Sequence, residues 1–163
     1  MPESLESGKI VPLDEAAAFR AALKKEGRRV VATNGCFDLL HVGHLRYLTQ
    51  ARERGDFLWL GLNADASVRE LKGPTRPVNN EADRAEILAA LRVVDAVTIF
   101  PEMRATRFLR AVAPDLYVKG GDYKPETLDA DERAAVAAGG GTIEILPLVP
   151  GKSTTATLKR IQS

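Results

Sequence analysis

The sequence predicts an α/β fold: a five-stranded, mostly parallel sheet with helices on both faces, three layers in all. Three observations carry that expectation. Short apolar runs at residues 30–32, 57–62, 96–100, 116–118 and 142–146 have strand length, and segments with helical spacing separate them. Parallel strands need crossover connections, so this alternation requires a parallel sheet covered on both sides. Finally, glycine-bearing polar segments follow the first, fourth and fifth runs, where such sheets bind ligands beyond the carboxyl ends of their strands.

In chain order, residues 1–13 form a lead-in. Asp14 is then placed to cap a helix with Ala16, Phe19 and Leu23 on one face, and Gly27 ends it. Residues 1–27 are thus expected to pack, as lead-in and helix, on a domain spanning 28–163. The first strand, 28–33, breaks at Asn34-Gly35. From Gly43 to about Arg54 a helix carries Leu45, Leu48 and Ala51 on one face, and Gly55 closes it before the strand at 57–62. A short turn or helix at 66–71 leads into a loop, 72–80, holding two prolines, a glycine and two cations. Helix 81–91, strand 96–100, helix 103–113 and strand 116–118 follow, with Pro101 and Pro114 at the junctions. A helix at 132–138 stops at Gly139-Gly140-Gly141, then come a strand at 142–146 and a last helix at 153–161.

Composition narrows the function classes. A chain of 163 residues with 45% hydrophobic and 28% charged side chains is that of a single globular domain. Its 23 basic and 22 acidic residues leave a formal charge of +1, which gives no field for nucleic acid or a membrane surface. Cys36 is the only cysteine, no stretch approaches the roughly 18 apolar residues of a membrane span, and the first residues lack a secretory pattern. A reducing cytoplasm is the expected compartment.

The chemistry concentrates in 34–44, which reads Asn34-Gly35-Cys36-Phe37-Asp38 and then His41-Val42-Gly43-His44 at a strand-to-helix transition. Gly35 lets a phosphate approach the backbone, and the amides and dipole of the following helix favour an anion. Both histidines of the chain stand in this turn, where imidazole N–H groups can donate to triphosphate oxygens and oppose charge developing on phosphorus. Capping or packing are the plainer roles for such histidines, and core packing is the plainer role for Phe37. Cys36 has no base placed beside it and reads as a small buried side chain.

Three further segments suit phosphate. Lys72 and Arg76 in the proline-bracketed loop, with Arg84 in the next helix, form a cationic group. Lys119-Gly120-Gly121-Asp122-Tyr123 pairs a cation with glycines at a strand end. Gly151-Lys152-Ser153-Thr154-Thr155 precedes a helix, so that Ser153 or Thr154 can cap it while hydroxyls face an anion. Solvation and capping alone would also explain these segments.

The His-x-Gly-His element preceded by Gly-x-Phe-Asp resembles the signature of the cytidylyltransferase-like nucleotidyltransferase superfamily. Together with Asn63 to Val68, Leu71-Lys72-Gly73, Arg76 to Asn79, Asp83-Arg84, 118–123 and 153–155, it resembles one branch, the adenylyltransferase domain of ADP-heptose synthesis, over residues 28–162. The resemblance implies a Rossmann-like sandwich and the transfer of AMP from ATP to D-glycero-β-D-manno-heptose 1-phosphate. Pyrophosphate leaves, and Mg2+ accompanies ATP without direct protein ligands. It implies catalytic roles for His41, His44, Lys72 and Lys119. A nucleotide site would hold Asn34, Gly35, Cys36, Phe37, Asp38, Lys119, Gly120, Asp122, Ser153, Thr154 and Thr155. A substrate site would hold Asp38, Asn63, Lys72, Arg76 and Arg84, the last helping to hold either the substrate or the loop. A homodimer and a separate heptose kinase are further implications. Relatives that make CDP-glycerol carry an arginine before their Ser-Thr segment, whereas this chain has Lys152. Left open are the same chemistry on glycerol 3-phosphate or another sugar 1-phosphate, and a nucleotide-binding module without turnover.

Overall fold

The structure is a computed structural model and describes residues 7–121, 124–148 and 150–163. Its strands are β1 (Val30–Gly35), β2 (Phe57–Asn63), β3 (Ala96–Phe100), β4 (Leu116–Gly120) and β5 (Thr142–Leu146). They form one sheet in the order β3-β2-β1-β4-β5, and every neighbouring pair is parallel. The helices are α1 (Ala16–Lys25), α2 (Val42–Arg52), α3 (Asp65–Lys72), α4 (Glu81–Ala89), α5 (Thr106–Val112), α6 (Ala130–Ala138) and α7 (Thr154–Gln162).

Strand alternation divides the interior into two cores. Val30 and Ala32 point to one face, where Trp59 and Tyr117 pack with Leu23 of α1, Phe108 and Val112 of α5, and Val136 of α6. Val31 points to the other, where Leu58, Leu60 and Val118 meet Leu48 and Ala51 of α2 and Leu88 of α4. Strands buried on both faces need continuous apolar runs, and all seven residues of β2 are buried. The lead-in is tied to the sheet: Val11 N–H donates to Val97 O at 2.9 Å, and Thr98 Oγ1 donates to Val11 O at 2.8 Å.

The three-layer expectation holds, and the sheet is wholly rather than mostly parallel. Local differences have local causes. Asp14 does not cap α1. Glu15 is its N-cap without a side-chain bond, because a turn in which Glu15 N–H donates to Pro12 O starts the helix instead. The Asn34-Gly35 pair does not break β1, since both residues stay in register with Gly61 and Leu62 of β2. Leu45, a turn nearer the cleft than Leu48, remains 45% exposed. The helix expected over 103–113 begins only at Thr106. The preceding segment is held as a loop: Asn63 Nδ2 donates to the carbonyls of Glu102 and Met103, and the Glu132 carboxylate takes the Ala105 N–H at 2.9 Å.

Strand order reverses between β1 and β4, since β1 leads outward to β2 and β3 while β4 leads to β5. Crevices open at such points beyond the strand carboxyl ends. A cleft of about 650 Å³ lies there, lined by residues that follow β1, β3 and β4 and by those leading into α7.

Candidate active site

The turn between β1 and α2 forms one wall of the cleft. His41 is the N-cap of α2, and its Nδ1 accepts the Gly43 N–H at 3.1 Å. His44 Nδ1 in turn accepts the His41 N–H at 3.3 Å, which closes a reciprocal capping box made of imidazoles. The rings stack with centroids 3.9 Å apart. With both Nδ1 atoms occupied as acceptors, the neutral tautomer carries its proton on Nε2, so each ring keeps one donor for a ligand. Burial, then the neighbouring His41, pushes the His44 imidazole down from 6.5 to about 4. Burial first and then Lys152 lower that of His41.

Glycine at 43 is a packing requirement. A Cβ there would lie 2.8 Å from His41 Cε1, 2.9 Å from its Nδ1 and 3.1 Å from Lys152 Cβ. Phe37 adopts a left-handed φ of 44°, which brings its ring under Gly35 and within 5.6 Å of the His44 ring. It therefore packs and lines the cleft at once, at 8% exposure.

Asp38 is a staple. Its buried carboxylate accepts Arg76 Nε at 2.6 Å and the backbone N–H groups of Val78 and Asn79 at 2.8 and 3.2 Å. Burial would raise its carboxyl, but the bonds from Arg76, Asn79 and Val78 outweigh this and lower it. Asp38 thus fixes the loop after α3 to the β1–α2 turn and aims Arg76, which also lines the cleft.

Arg84 takes the second of its two expected places, at the loop. It does not line the cleft but lies buried beneath the loop, where it donates to Asn79 O, Cys36 O, Asn63 O and Asp65 Oδ1 at 2.7–2.9 Å. Four of its five N–H groups are spent on the framework, so it holds the loop. Asn63 lines the cleft, yet its side-chain amide is turned to Ser67 and to the Glu102 and Met103 carbonyls.

Lys119 on β4 reaches Asn34 Oδ1 at 3.2 Å, and the same oxygen takes the Tyr117 hydroxyl. Burial lowers the Lys119 ammonium, with Glu132 opposing and Arg104 adding to the effect. Lys72, in the last turn of α3, is exposed at the cleft. Cys36 lines the cleft with its thiol pushed up by burial, against the lowering by Lys72 and Arg84, which leaves it a poor nucleophile. Gly120 needs its missing side chain: a Cβ would lie 3.0 Å from Leu148 and 3.1 Å from the Tyr47 ring.

Ser153 caps α7 by accepting the Ala156 N–H at 3.0 Å, and Thr154 Oγ1 donates to Leu39 O at 3.0 Å, which joins the start of α7 to the histidine turn. Thr155 and Lys152 complete this side of the cleft. Asp122 lies outside the described residues. Sequence reasoning missed Tyr47, Tyr117, Arg104, Asp129 and Glu132. Glu132 shares a helix face with the apolar Ala135 and Val136 at i+3 and i+4, a signal that it points inward.

A parallel sheet with helix-terminal amides and two neutral imidazoles at its switch point defines the class of nucleotide-binding α/β proteins. The cytidylyltransferase-like family pattern matches residues 32–138, and the chain belongs to that family. The chain is 52% identical over 155 residues to the bifunctional protein HldE of Geotalea uraniireducens, covering 95% of this chain and 31% of that one. It is 51% identical over 138 residues to the HldE of Syntrophotalea carbinolica, covering 85% and 28%. The chain therefore spans about a third of the length of these relatives. Among solved structures, a lipopolysaccharide core biosynthesis protein from Thermoplasma volcanium matches with a TM-score of 0.62 and 27% identity, over 76% of this chain and 98% of that one. A pantoate-beta-alanine ligase from Francisella tularensis, at 13% identity and a TM-score of 0.57, shares the fold. No helix among the described residues is long and apolar enough to cross a membrane.

Proposed function

We propose that this chain transfers AMP from ATP to D-glycero-β-D-manno-heptose 1-phosphate, releasing pyrophosphate and forming ADP-heptose. The observation that carries the chemistry is the stacked imidazole pair at the α2 N-terminus, with both Nδ1 atoms occupied and both Nε2 donors left for an anion. The choice of acceptor rests on the ordered motifs and on the identity with the HldE proteins.

In this reading the triphosphate lies across the α2 N-terminus. An oxygen of the sugar phosphate attacks the α-phosphorus in line, that bond forms as the bond to pyrophosphate breaks, and no enzyme nucleophile takes part. The protein positions the reactants and stabilises charge. His41 and His44 donate from Nε2 to phosphate oxygens. Lys72 and Lys119, which both line the cleft, neutralise charge, and Arg76, held by Asp38, offers its remaining N–H groups to the acceptor phosphate. Ser153 to Thr155 present the α7 N-terminus to the phosphates. Mg2+ bound with ATP would add to charge neutralisation at the phosphates. The kinase step that makes heptose 1-phosphate would belong to a separate domain or protein.

The test is a panel of ATP and CTP against heptose 1-phosphate, other sugar 1-phosphates and glycerol 3-phosphate, read by pyrophosphate release with product identification. ATP with heptose phosphate should give the highest kcat/KM. Turnover of CTP with glycerol 3-phosphate, and none of ATP with heptose phosphate, would overturn the proposal.

A further inference from the structure

The cleft has two walls of different character. On the α2 side stand the imidazoles, Lys152 and the start of α7, all suited to an anion. On the side of α5 and α6 stand Glu132 and Asp129, the latter 3.7 Å from Arg104, which lines the cleft as well. Glu132 is only 5% exposed, which is unusual for a carboxylate with no ion pair among the described residues. Its Oε1 is fixed by the Ala105 N–H at 2.9 Å, and its backbone N–H is bonded to Asp129 Oδ1 at 3.0 Å. The second oxygen, Oε2, has no hydrogen-bond partner among the described residues, and the residue lines the cleft. A carboxylate held rigidly through one oxygen, with no donor from the described residues on the other, is matched to a ligand that brings donors.

We propose that Glu132 determines the acceptor specificity of this cleft by accepting hydrogen bonds from hydroxyl groups of the sugar, with Asp129 beside it. The inference rests on the reading of the acceptor as a sugar phosphate. One end of that molecule needs cations, which Lys72, Arg76 and Lys119 offer, and the other end carries only hydroxyl donors. The wall that carries Glu132 fits the second end. The Ala105 bond forces α5 to start late, so the same contact that shortens the helix also sets the height of the carboxylate.

Glu132→Gln keeps an oxygen for the Ala105 N–H and replaces the second, free acceptor by an NH2 donor. With the full chain, ATP and heptose 1-phosphate, KM for the sugar phosphate should rise about 10- to 100-fold, the loss typical of a hydrogen bond to a charged group, with KM for ATP within about twofold. Deoxy analogues of the acceptor should cost the wild type a similar factor at one hydroxyl and cost Glu132→Gln little more there. Glu132→Asp, which keeps the charge and withdraws the oxygens by one methylene, should fall between the two and serves if the first variant does not fold. An unchanged acceptor KM in a folded variant, or a rise in KM for ATP instead, overturns the assignment while leaving the proposed reaction standing. Absence of turnover of any sugar 1-phosphate by the wild type overturns the proposed reaction, and this assignment with it.

Discussion

His41 and His44 use one nitrogen each for the fold and keep the other for a ligand, so their structural and chemical roles separate by atom. His41→Ala or His44→Ala should lower kcat by about 100- to 1,000-fold, the usual loss of a donor aimed at developing charge, while the lost cap costs only about 1 kcal/mol of stability. Pyrophosphate release and thermal unfolding on the same samples check both halves. The pH dependence follows from the same burial. The folded His44 titrates at about 4 against an ordinary 6.5, so its contribution is fully present above pH 6.5. As pH falls the unfolded chain binds a proton that the folded one refuses, and stability drops between pH 6.5 and about 4. Thermal unfolding between pH 7 and 4.5 should show this loss, and His44→Gln should flatten that part of it. The histidines were legible because both fall in one glycine-bearing turn. The reason for Gly43 was not, since it is a clash of 2.8 Å with a side chain whose direction only the capping geometry fixes.

At the level of elements, the loop after α3 is held from both sides, by Asp38 from β1–α2 and by Arg84 from α4. Removing Arg84 strands three backbone carbonyls and the Asp65 carboxylate in the interior. Arg84→Ala should therefore destabilise by about 3–5 kcal/mol, and Arg84→Lys should rescue little because a point ammonium cannot span four acceptors. Denaturant unfolding measures it. Asp38→Asn removes the charge that aims Arg76, so KM for the acceptor should rise about tenfold with ATP affinity kept; equal loss for both substrates would assign Asp38 to general packing. In the sequence Arg76 and Arg84 read alike, as cations near one loop. What separates them is the helix face: Arg84 shares its stripe with Leu88 at i+4 and so turns inward, a pattern masked by the expectation that charge lies outside. Strand positions were legible from apolar runs, but helix starts such as that of α5 depended on a distant carboxylate, which local spacing cannot reveal.

Across the whole molecule, strand order decides what the motifs can do together. The alternation of elements implies a parallel sheet, yet it does not state that β4 crosses back beside β1; long-range pairing does, and it is this crossing that brings Lys119 to Asn34 and the start of α7 to Leu39. The cleft is thus closed by segments from both halves of the sheet, and a ligand in it links α2, β4 and α7. Such a ligand binds the folded state alone, so it should raise stability by RT ln(1 + [L]/Kd), about 2.7 kcal/mol at a hundredfold excess over Kd. For a chain of 163 residues this corresponds to a rise in Tm of about 5–10 °C with ATP. The shift should shrink to a few degrees in the double variant His41→Ala/His44→Ala, which loses the donors on one wall, and persist in Glu132→Gln, which alters the other. Equal shifts in all three proteins would mean that the nucleotide does not lie across the α2 terminus.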